Sequence, residues 1–297
     1  MFMTTYLKTG ALIIFMLFSV RLFASPQMPD YIIYKNDTFA TYNLILERFL
    51  QRRDTTESEK LFGLSFRDGA TTNCWRGYQA IYRIENDSLF LTDILSCGER
   101  RSNKIDKDGS LEKMRVIFGD RVKDNKVFIN WFSDELNFPL KSKLLRWDGV
   151  FYRIFEKETV ISIYNGRVLR AENVDNYIDN RKSINRKDKN KVSNILFKKI
   201  KKTRWVNIDS CDCSEKYLVT IDQDGKVSKV MMAEYETDEK IEEAWEMDEY
   251  NYCIKNMLNA LKKLRFDIIK DKGKPISEVI YIEIWFEENG KIENWTD

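Results

Sequence analysis

Cys74 and Cys97 bracket the stretch "NCWRGYQAIYRIENDSLFLTDILSCG", and Cys211, Cys213 and Cys253 follow in the C-terminal third of the chain. In an oxidising compartment such residues pair, whereas in a reducing one they hold metal or stay as thiols. The stretch itself favours pairing. Residues 78–85 and 88–95 read as two strands joined by an Asn86–Asp87 turn. In a two-residue hairpin the numbers of facing residues sum to 173, which sets Arg76 opposite Cys97. Cys74 then lies two residues away at the open end, so a Cys74–Cys97 disulfide is within reach, the alternative being two buried thiols. A second bridge among the other three leaves one thiol over. The one-residue spacing of "CDC" falls short of a zinc-binding Cys pair, and the chain has no histidine.

The missing histidine removes Ser-His-Asp and Cys-His nucleophile activation and the common His-ligated metals. No Walker lysine loop and no G-x-G-x-x-G is present to cradle phosphate. "DKDGS" and "DQDGK" look like fragments of calcium loops. With Gly109 as the sixth position, however, Lys104 and Arg115 fall where the first and twelfth ligands belong, and with Gly225 those places hold Thr220 and Met231. Both stretches therefore read as turns. The 47 acidic residues leave a carboxylate-pair hydrolase as an alternative, although no pair stands out. Trp75, Trp131, Trp147, Phe151, Tyr152 and Phe155 suggest either a sugar-stacking surface or, as we favour, a strand-rich core. No catalytic, cofactor-binding or metal residue is assigned, and no cofactor is implied.

Lys8, the apolar run "GALIIFMLFSV" and "LFASPQ" match a secretory signal peptide over residues 1–24, cleaved after Ala24. Eleven apolar residues fall short of the roughly 20 that span a bilayer. Leu22 at the −3 position leaves an uncleaved anchor as the alternative. The expected product is exported, periplasmic or envelope-associated, with no transmembrane span in the mature chain. Lys+Arg (49) nearly balance Asp+Glu (47). A basic block over 181–204 and an acidic block over 234–249 read as solvated or mutually paired, so no nucleic-acid partner is expected.

The elements that must position these residues divide the chain in two. Residues 25–175 predict an aromatic-rich antiparallel β meander with one helix near 41–50, curled into a barrel or covering a second layer. "DNRKSINRKDKNK" predicts an exposed charged linker, placed over 176–191. Residues 192–297 predict a small α+β unit in the order helix, hairpin, helix, strand, so the whole chain is of the α+β class. In the last strand Ile280, Ile282, Ile284 and Phe286 share one face, and Tyr281, Glu283 and Trp285 the other.

"YLVTIDQDGKVSKVMM", "LKKLRF" and "DKGKPISEVIYIEIWF" together resemble the C-terminal domain of the TonB family over about residues 192–295. The resemblance implies a final strand able to pair with an extended peptide from an envelope protein, with Tyr281, Glu283 and Trp285 beside it. The alternative is that "KIENW" (291–295) folds back over that strand after the Asn289–Gly290 turn. Departures from the family argue against an energy transducer. The chain has four prolines rather than a Pro-rich spacer, and "RFDII" stands where the family has Trp-x-Pro-Ala.

Overall fold

The computed structural model describes residues 26–52, 70–102, 104–203, 205, 212–235, 237–287 and 289–296. The expected signal peptide and Cys211 lie outside these residues. The architecture is mixed α+β, mostly strands.

Strands β1 (Asp30–Tyr34) and β2 (Asp37–Thr41) form a hairpin and are followed by helix α1 (Ile45–Gln51). Strands β3 (Tyr78–Glu85) and β4 (Ser88–Ser96) turn on Asn86 and Asp87, whose φ angles of 46° and 54° suit a two-residue turn of matching twist. Facing residues sum to 173 from Glu85–Ser88 to Tyr82–Leu91, after which a bulge at Thr92 shifts the register by one. The expected opposition of Arg76 and Cys97 is corrected by that shift. The Cys74–Cys97 disulfide forms nonetheless, with Cα atoms 6.1 Å apart.

"DKDGS" is not a turn. Asp106 caps helix α2 (Lys107–Phe118), its carboxylate accepting from the Gly109 amide at 2.9 Å. The helix buries Met114, Ile117 and Phe118 under the sheet. Strands β5 (Val127–Phe128), β6 (Asp134–Pro139), β7 (Leu144–Trp147), β8 (Arg153–Phe155), β9 (Lys157–Tyr164) and β10 (Arg167–Asp175) complete this half. The sheet order is β2-β1-β3-β4-β10-β9-β6, with β5 against β4. The expected purely antiparallel meander is corrected at one place, because β1 and β3 run parallel. The sheet curls until its two edge strands approach: Phe39 and Phe138 stack with centroids 4.2 Å apart, and Asn43 donates to the Glu135 carbonyl at 3.1 Å. Ile32, Ile45, Tyr78, Tyr82, Leu91, Ile94 and Ile161 fill the interior.

Strand β11 (Tyr177–Ile178) opens the segment expected as an exposed linker; most of residues 179–191 are exposed, with Arg186 the buried exception. Asn176 and Arg186 are fully buried, and Ile184 bridges to Phe266. High charge conceals the buried positions Asn176, Tyr177 and Arg186. Helix α3 (Lys189–Lys201), strands β12 (Glu215–Ile221) and β13 (Val227–Met232), and helices α4 (Asp238–Ala244) and α5 (Met247–Leu261) follow. Strands β14 (Ile268–Asp271), β15 (Lys274–Pro275), β16 (Glu278–Phe286) and β17 (Ile292–Asn294) end the described chain. β11, β14 and β15 form a small sheet, and β13-β12-β16-β17 an antiparallel one. Val192, Leu196 and Ile200 of α3 and Met257 and Leu261 of α5 cover the inner face of the latter sheet. Cys213 bonds Cys253, tying the approach to β12 onto α5. Gly225, at φ 78°, has no substitute at its turn, since a Cβ there would sit 2.2 Å from the Phe266 carbonyl oxygen. Among the described residues no helix is long and apolar enough to cross a membrane.

Candidate interaction edge

Side-chain alternation along β16 follows the pattern expected from sequence. Ile280, Ile282 and Ile284 are buried, while Val279, Tyr281 and Trp285 are 47%, 36% and 44% exposed. The main chain is another matter. On one side β12 pairs with β16 from Glu278 to Ile284. On the other, β17 pairs with residues 284–286. The Trp295 amide donates to the Glu283 carbonyl at 2.9 Å, and the Glu283 amide donates to Thr296 Oγ1 at 2.8 Å. The tail thus folds back, and the second half of β16 lies inside the sheet. Of the expected pairing residues, Glu283 and Trp285 have main chains engaged within the molecule.

The first half differs. Both main-chain groups of Glu283 point away from β12. In an antiparallel ladder this direction alternates residue by residue, so Tyr281 and Val279 also point away from β12. They meet no strand among the described residues. On the solvent-facing surface beside them, Tyr281 stands opposite Leu218, which stands opposite Met231, giving a half-buried apolar stripe across three strands. Burial, and then the hydrogen bond that its hydroxyl donates to the Glu283 carboxylate, raise the Tyr281 pKa. Trp285 and Trp295 stack with centroids 5.2 Å apart. Lys291 reaches Glu287 and Glu293, each at 2.8 Å, and together with Asn289 holds the Glu287 carboxyl down to about 2.

Most ionisable groups in the interior are satisfied. Asp30 and Arg76 pair at 2.7 Å, both almost completely buried. Asp30 also accepts from the Ala80 amide, and Arg76 donates to the Met28 carbonyl. Burial alone would lower the Arg76 pKa, but Asp30 and Tyr78 raise it. Such a closed network fixes this end of the curled sheet rather than offering a reactive group. The aromatic set separates. Trp131 packs on Phe118 and donates to the Ile45 carbonyl, a core role, while Trp75 and Trp147 stay exposed beside Phe151 and Arg153. Among the described residues no three His, Cys, Asp or Glu side chains are grouped to hold a metal.

Comparison with protein-family models, curated proteins and solved structures finds no match to this chain. The two disulfides suit an oxidising environment.

Proposed function

We propose that this chain is an exported, non-enzymatic envelope protein whose C-terminal unit, similar to the TonB C-terminal domain, captures an extended segment of another protein by strand addition. The site is the free first half of β16. The observation that supports it is the outward direction of the Val279 and Tyr281 main-chain groups, next to the stripe of Tyr281, Leu218 and Met231. Unpaired amides and carbonyls supply attraction, and the alternating side chains supply selectivity. The preceding β-rich residues 25–175 serve as its scaffold, and the segment over 176–191 joins the two. Arg146 of β7 is the main clasp, paired with Glu278 and donating to the carbonyls of Arg186 and Lys187.

The test is a photo-cross-linker at Val279 in exported protein, compared with one at exposed Val116 on α2. A partner cross-linked from Val279 alone, and lost when Tyr281→Pro removes the adjacent outward amide, supports the reading. Identical products from both sites, or an unchanged product in a folded Tyr281→Pro variant, refute it.

A further inference from the structure

A second recessed region draws on both halves of the chain. The mouth of the curled sheet, the loop between β7 and β8 and the β14–β15 hairpin enclose a cleft of about 330 Å³. That is the small end of the range for ligand sites. Its walls combine three kinds of surface. The first is aromatic. Tyr42, Phe151, Tyr152 and Phe155 line it, with Arg153 lying 3.7 Å over the Tyr42 ring and Trp75 edge-on to Phe151. The second is amide: Asn137 donates to the fully buried Glu158 at 3.1 Å and accepts from no described residue.

The third is the Asp271 carboxylate, which the Tyr152 hydroxyl reaches and which keeps one oxygen in reserve. The Asp271 Oδ1 atom is buried and has no hydrogen-bond partner among the described residues. A buried acceptor of this kind is costly unless a donor reaches it. The remaining charges do not select an ion. Arg48 is taken by Asp134 at 2.6 Å, leaving Arg153 and Lys272 against Asp148 and Asp271, two of each sign. Burial raises the pKa of Glu158 behind the cleft wall, against the hydrogen bonds from the Phe155 amide, Asn176 and Asn137 that lower it.

An aromatic floor, a carboxamide and a carboxylate oxygen awaiting a donor, without net charge, match one chemistry. A sugar ring offers apolar C–H faces to the aromatics and hydroxyl donors around its rim. We propose that this cleft binds a neutral saccharide of one or two rings, which stacks on Phe151 and donates a hydroxyl to Asp271 Oδ1. This site is independent of the free edge on β16.

The experiment titrates the intact exported chain with glucose, galactose, N-acetylglucosamine, maltose and cellobiose by calorimetry, with cadaverine as the cationic arm. The variants Asp271→Asn, which keeps the shape, and Phe151→Ala are measured alongside, with both disulfides and the melting temperature verified. Saturable binding of at least one sugar, weakened at least fivefold in both variants, is the expected result. The proposal is overturned if no sugar binds the folded protein, if either folded variant binds within fivefold of the parent, or if cadaverine alone saturates the site.

Discussion

Val279 and Ile282 differ in which way their amides face, and proline substitution turns that difference into a stability measurement. Ile282 lies opposite Tyr217 of β12, with its main chain directed into the ladder. Ile282→Pro removes that amide and leaves the Tyr217 carbonyl without its donor, at a cost of about 1–3 kcal/mol. Losing the fully buried isoleucine side chain adds about 2 kcal/mol. The sum is about 3–5 kcal/mol, which for a unit of this size lowers the melting temperature by roughly 12 °C or more. Val279→Pro removes an amide that faces away from β12, from a side chain already 47% exposed. Proline is tolerated at such unpaired edges. Its shift should be less than a third of that for Ile282→Pro, read from thermal unfolding followed by circular dichroism. Equal shifts would mean that the Val279 amide is bonded inside the protein, and the reasoning about a free edge would fail.

Non-reducing peptide mapping should recover Cys74 linked to Cys97 and Cys213 linked to Cys253, with Cys211 as the alkylated thiol; any other pairing contradicts the fold. Removing either bridge, with sequence separations of 23 and 40, should cost about 3–4 kcal/mol of stability in denaturant titrations. The Glu287 carboxyl should titrate near 2 by NMR and return to the ordinary carboxylate range in Lys291→Met. Because its folded pKa is depressed, this contact contributes above the ordinary carboxylate range and is lost as pH falls toward 2. Gly225→Ala should unfold well below Gly290→Ala. Both glycines have positive φ, but a Cβ at 225 meets the Phe266 carbonyl whereas one at 290 meets nothing within 4 Å. Equal melting temperatures for the two would remove the steric argument.

Local periodicity made much of the C-terminal sheet readable. Isoleucines at alternate positions marked the buried face of β16, and Asn289–Gly290 followed by "KIENW" contained the signal for the covering strand. What stayed hidden was mostly non-local or disguised. Helix α2 begins with an Asp–Gly combination that also makes turns, so the cap looked like a turn. Strand β6 carries Asp, Glu, Asn and Pro, because its place against β9 is set by the curl of the sheet rather than by its own propensity. No spacing rule places β1 parallel to β3, and none foresees a buried Arg186 within a charged run. The cleft is similarly illegible, since Tyr42, Phe151 and Asp271 come from distant parts of the chain.

The tail that covers the far half of β16 also decides how tightly the near half could hold a guest. Val279 and Tyr281 offer four main-chain groups there, and at about 1 kcal/mol for each hydrogen bond their sum only reaches the lower end of the roughly 4 kcal/mol or more that immobilising a free segment costs. A visitor would therefore come and go quickly, and its residence time would be governed by what it places against the tyrosine, leucine and methionine row.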